Sequence, residues 1–193
     1  MKFFKHSLLL ATVVFNTAAF YCVAINGWQA ENTISVHIAS SLDAIMCFSI
    51  VNTVSVILIM IGLYFIARKW EFGIEYKIPV VILAVCMLAV SWFPHSSGII
   101  ADIHVIMAWI MMFSMALSVL VAYINSFYKA NLAVKISGAV YLLFTAYLGV
   151  SFLFFGSFFF ANVLLLEFLY FNAMFGFMMI LNYSDPKSDK IIE

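Results

Sequence analysis

The chain alternates long apolar runs with short polar breaks. A helix that crosses a bilayer needs about twenty mostly apolar residues, and reading the breaks as loops predicts six spans, at 7–27, 44–67, 78–93, 102–124, 136–155 and 160–182. Pro79 then falls in the first turn of the third span, where its missing N–H costs nothing, and Pro94 closes that span. Asp102 stands where an N-cap of the fourth helix would. A polar segment, 183–193, follows the sixth. The expected fold is all-α: a single polytopic membrane domain, a compact six-helix bundle with loops too short to hold a soluble domain. No internal repeat is visible, and no two glycines have the four-residue spacing of the GxxxG helix-pairing motif.

The first run admits a second reading. Lys2, Lys5 and His6 precede it, and Thr17-Ala18-Ala19 offers small residues of the kind found at signal cleavage sites. The apolar run continues through Ile25, longer than the core of a signal peptide usually is. A retained span is therefore expected. Removal would leave five spans in the same orientation.

Composition strengthens the membrane reading. Apolar residues make up 66% of the chain and charged residues 9%, against roughly half and a quarter in soluble domains. The formal net charge is zero and the basic residues are widely spaced, so no basic surface for nucleic acid is expected. Their placement carries more. Lys2 and Lys5 precede the first span. Arg68, Lys69 and Lys77 lie between the second and third, Lys129 and Lys135 between the fourth and fifth, and Lys187 and Lys190 in the tail. All 9 fall on one side of a six-span arrangement. The positive-inside rule then puts both termini in the cytoplasm, with the chain in the plasma (inner) membrane.

An ionisable residue inside a span is expensive and is a functional hypothesis by default. Glu167, in the sixth span, is the one that lies well inside. At that depth a carboxyl group must be neutral, paired, or wetted by a cavity. Two readings stand: a glutamate hydrogen-bonded across a helix interface, and a proton-titrating or ligand-binding group. Asn52, Asn16, Thr145 and Ser151 are further polar residues within spans. Each is explained by an interhelical hydrogen bond. Together they outline a polar pocket open to the outer side, with Glu167, His104, Asn52 and Asn16 as its ligand-binding candidates.

The outer loops and helix ends add Glu31, His37, Asp43, His95, Asp102 and His104. His37, His95, Asp102 and His104 form the metal-site alternative, since His and Asp are ligands for zinc. Asp102 and His104 are two apart, so on a helix they point away from each other. His104 shares a three-four-spaced face with Ala108, Met111, Met115, Ser118 and Ala122. It is either an interface histidine or a site residue. No cofactor is expected. Haem-mediated electron transfer across a membrane needs axial histidines near both faces, whereas His37, His95 and His104 map to the outer side and His6 alone to the inner. Nucleophile-elbow, phosphate-loop and dinucleotide fingerprints are absent. Cys22, Cys47 and Cys86 form no CxxC pair and read as buried apolar residues. A Cys22–Cys47 disulfide near the outer ends of the first two spans stays open.

Two stretches carry a resemblance. One is Asn32-Thr33-Ile34-Ser35-Val36-His37-Ile38-Ala39-Ser40, leading into the second span; the other is Trp92-Phe93-Pro94, followed by Ile103-His104-Val105, Ala108 and Phe113. They resemble an uncharacterised family of six-helix bacterial and archaeal membrane proteins catalogued as a domain of unknown function (number 998), which is related to the FRAG/DRAM/Sfk type of eukaryotic membrane proteins. Family members often carry a glutamate–arginine pair in the last span, whereas here Phe168 follows Glu167. The resemblance implies fold and membrane location and brings no assigned activity.

The expected function is that of a non-enzymatic membrane protein with an outward-facing polar pocket that binds or moves a small ligand, lipid or proton. An intramembrane metal-dependent enzyme and a structural subunit without a site are the alternatives. The lipid bilayer is the expected partner, with no nucleic acid.

Overall fold

The computed structural model describes residues 5–93, 98–155 and 162–186. Among the described residues there are seven helices and no strand. They are α1 (Ser7–Asn26), α2 (Ile34–Ala39), α3 (Leu42–Lys69), α4 (Ile74–Trp92), α5 (Ile99–Ser126), α6 (Leu132–Phe155) and α7 (Val163–Tyr183). All except α2 are long and apolar enough to cross a membrane.

The ends differ from expectation where caps take over. α3 begins at Leu42 because Ser41 supplies the cap, its hydroxyl accepting from the Ala44 N–H at 3.1 Å. α4 begins at Ile74, ahead of the expected start, which leaves Pro79 in the second turn rather than the first. The proline therefore removes one backbone hydrogen bond inside α4. α5 begins at Ile99 after Gly98, whose φ of 65° is a conformation glycine adopts without strain. Asp102 is consequently not the N-cap. It stands exposed in the first turn, where its charge suits the positive end of the helix dipole. α7 starts at Val163, with the Asn162 side chain accepting from the Leu165 N–H at 2.9 Å. Pro94 and His95 lie outside the described residues.

Outward-facing positions are large and apolar: Val13, Ile57, Phe113 and Leu143 are more than half exposed. Such a belt is an aggregation hazard in water and the ordinary surface of a protein in lipid. Inside the bundle the contacts are close. A methyl group at Gly62 of α3 would overlap Leu8 of α1, and one at Gly138 of α6 would overlap the ring of Tyr123 on α5. α7 is the most central span, with 50% of its apolar window buried, and packs against α1, α3, α5 and α6.

At one end of the bundle the polar breaks are tied together. Lys69 at the end of α3 pairs with Asp185 at 2.7 Å and donates to the Asn182 carbonyl of α7 at 3.0 Å. Trp70 donates to the Leu181 carbonyl, and the Asn182 amide donates to the Lys5 carbonyl. This is the end that carries Lys5, Arg68, Lys69, Lys77, Lys129 and Lys135. The loop between α1 and α3, with α2 inside it, lies at the opposite end.

Candidate functional site

Glu167 is the fifth residue of α7. At 1.5 Å per residue it lies about 6 Å from the helix start, shallower than a span beginning at 160 would place it. Its Oε2 accepts a hydrogen bond from the Ile34 N–H at 2.6 Å. Ile34 opens α2, and the first N–H groups of a helix have no partner within it. Glu167 fills one of those places from a position 133 residues away. Beside it, the Leu164 N–H donates to the Ala30 carbonyl at 3.3 Å. The start of α7 thus holds the loop between α1 and α3 at two points. Thr33, whose hydroxyl accepts from the Val36 N–H at 3.3 Å, completes the cap of α2.

Below this latch is a cavity of about 320 Å³. Its polar wall is made by Glu167, His104, Thr33 and Ser35, and much of the rest by Met112, Leu148 and Leu166. A smaller pocket of about 60 Å³ shares Glu167, His104 and Met111 with it and ends at Asn52 and Ser91. His104 is 3% exposed, and its Nδ1 lies 2.7 Å from the Phe93 carbonyl oxygen. A carbonyl only accepts, so Nδ1 carries the hydrogen, and in the neutral ring Nε2 is then an acceptor. The expected inner face of α5 is observed: Met111, Met115, Ser118 and Ala122 are all buried, and Ala108 lines the cavity.

Asn52 is 2% exposed and joins α3 to α4, its Nδ2 donating to Ser91 Oγ at 2.5 Å and to the Met87 carbonyl at 3.2 Å. Ser49 adds a bond to the Ser91 carbonyl at 2.6 Å. Asn52 Oδ1 is buried and has no hydrogen-bond partner. Tyr170, one turn below Glu167, donates to the Met112 carbonyl at 3.0 Å and forms part of the floor.

Asn16 is a correction. It does not line the cavity with Glu167. Its amide and that of Asn172 on α7 donate to each other, at 2.8 and 2.9 Å, and form a reciprocal clamp between α1 and α7. The reason is depth: Asn16 and Asn172 each lie about 15 Å from the ends of their helices nearest α2, well below Glu167. Thr145 and Ser151 do not line it either; the Thr145 hydroxyl returns to the Tyr141 carbonyl of its own helix at 2.9 Å.

The His/Asp set is not assembled among the described residues, where no three His, Cys, Asp or Glu side chains are grouped to hold a metal ion. His104 faces the cavity, Asp102 is exposed on the other side of α5, and His37 is buried in α2 away from the cavity wall. His95 lies outside the described residues. Cys22, Cys47 and Cys86 are free thiols.

Thr33, Ser35 and Tyr170 on the cavity wall, and Ser91 on the smaller pocket, are the residues that sequence reasoning missed. Tyr170 had a signal, standing three residues after Glu167 on the same helix face. Ser91 had none, because its role depends on which face of α4 meets α3.

No protein-family model, no curated protein and no solved structure matches this chain.

Proposed function

We propose that this multi-pass membrane protein, in the plasma membrane with both termini cytoplasmic, binds a small ligand in a cavity near the outer face, with Glu167 as the anchoring group and His104 and Asn52 as further polar contacts. One observation carries the reading. Glu167 and His104, from two separate spans, meet on the wall of the larger, mostly apolar cavity, and both also line the smaller pocket that ends at Asn52. A few convergent polar groups in an apolar cavity of 300 Å³ or more is the usual build of a small-molecule site. Placement near the outer face rests on the basic residues, since those among the described residues belong to the opposite end. Kinship with the domain-of-unknown-function family remains part of the proposal on the strength of its two stretches of residues.

The test compares the wild type with Ala108→Trp, a cavity-filling change, in lipid nanodiscs. A panel of small amphiphiles is screened by thermal shift. Compounds that raise Tm of the wild type and leave Ala108→Trp unmoved support the reading. A panel that never separates the two proteins sinks it.

A further inference from the structure

The cavity meets its surroundings on two sides. Towards α2 it is covered. Thr33, Ser35 and Val36 form the wall there, Ile34 and Ile38 beside them are buried, and the start of α7 fastens the segment through Glu167 and Leu164. Sideways it reaches the apolar surface of the bundle. Val105 and Trp109 line the cavity and are also 41% and 49% exposed. They share that surface of α5 with the exposed Ile106, Ile110 and Phe113. From the start of α5 at Ile99, Val105 and Trp109 lie about 9 and 15 Å along the helix. The helix is about 42 Å long and the hydrocarbon core about 30 Å thick. An overhang of several ångströms at each end leaves both residues level with the lipid chains. Whatever passes them passes through hydrocarbon, where a charged group is costly.

Inside, the polar groups gather at one end. Glu167, Thr33 and Ser35 lie towards α2, and the Thr33 and Ser35 hydroxyls can donate as well as accept. Phe171 lies about 6 Å further along α7 than Glu167, and with Met112 and Leu148 it offers only apolar contact. An apolar cavity of about 150 Å³ takes a benzene ring, so about 320 Å³ holds roughly twice as many carbon atoms. That is one short chain and not two. We propose that the cavity is loaded sideways from the bilayer, past Val105 and Trp109, with an uncharged single-chain amphiphile of the long-chain alcohol type. Its head meets Glu167, Thr33 and Ser35, and its chain lies against Met112, Leu148 and Phe171. The inference rests on the ligand-binding reading above and adds the ligand's class and its route.

The experiment uses the full-length protein in nanodiscs, with undecanol, undecyltrimethylammonium and glucose as probes. The first two share a chain and differ in charge, and glucose is a polar solute of about the size of undecanol. Undecanol should raise Tm of the wild type and leave Ala108→Trp unmoved, while the other two move neither protein. A diazirine-bearing undecanol, mapped by mass spectrometry after photolysis, should label Met112 and Leu148, and unlabelled undecanol should displace it there. Label on Phe113 or Leu143, which any chain in the bilayer reaches, should not be displaced. Val105→Trp narrows the mouth and should slow or prevent the displaceable labelling. Glucose or the ammonium probe shifting the wild type as much as undecanol, and not Ala108→Trp, overturns the inference and leaves the cavity reading standing. So does displaceable labelling of Val105→Trp at the wild-type rate. All three probes acting alike on wild type and Ala108→Trp overturns both.

Discussion

Glu167 holds α2 in place through one hydrogen bond, so the kind of substitution made there decides the outcome. Glu167→Gln retains an oxygen for the Ile34 N–H and should change Tm only slightly. Glu167→Leu removes the acceptor and leaves that N–H unsatisfied, at a cost of about 1–3 kcal/mol. Thermal unfolding of purified wild type, Gln and Leu proteins in detergent checks this, and equal stability of all three would show that the bond contributes nothing. At the opposite end, Lys69 is hydrogen-bonded to Asp185 and holds its carboxyl below the ordinary value of 3.8. A depressed folded-state value means the pair contributes stability at neutral pH and loses it as the pH falls below 3.8. Asp185 is exposed, so the effect should be small and screened by salt. The Tm difference between wild type and Asp185→Asn should shrink on acidification below that pH; a difference that grows would contradict the pairing.

Between helices the polar contacts act in pairs. Removing one member of the Asn16–Asn172 clamp strands the other, whereas replacing both with leucine strands neither. A double-mutant cycle of Asn16→Leu and Asn172→Leu should show each single change destabilising and the double change costing less than their sum, with coupling of about 0.6 kcal/mol and at most about 1.7. Strict additivity would show that the two amides do not interact. Element positions were largely legible in the sequence, because a run of apolar residues between polar breaks maps directly onto a span. Helix faces were less so, the inner face of α5 apart. In a soluble protein the core-facing stripe is apolar and the other face polar, but here lipid and core are both apolar, so little periodic contrast marks which side of α4 or α7 turns inward. That is why Glu167 stood out as an ionisable residue in an apolar run, while Ser91 and Asn172 passed as ordinary. α2 was missed for another reason. Its six residues are too few to show a period, and it is held by Thr33 and by Glu167 from the far end of the chain.

Across the whole molecule the spans run alternately up and down, so the loops sort onto two sides. Reporters fused after Lys69, Lys135 and Lys190 should read cytoplasmic, and those after Trp28, Ser97 and Gly156 external. A cytoplasmic signal after Ser97 would overturn the six-span topology. The close packing at Gly138 offers a second check at this scale. Gly138→Ala pushes a methyl group against Tyr123 and Phe177, on two different helices, and should destabilise by about 1–3 kcal/mol as overpacking does. Unchanged thermal stability would mean that α6 can move away from α5 and α7 at no cost.

The central span is also the last of the described spans to be made. α7 emerges from the ribosome after the other five spans, yet it fills the space between α1, α3, α5 and α6 and supplies the carboxyl group that fastens the loop between α1 and α3. Until it arrives, the earlier spans have a gap where their innermost neighbour will stand, lined by the acceptors of Asn52 and His104. The closed cavity and the fastened α2 therefore come into being together, when α7 packs, and a nascent chain halted before residue 163 would hold His104 and Thr33 but lack Glu167 and the wall that α7 supplies.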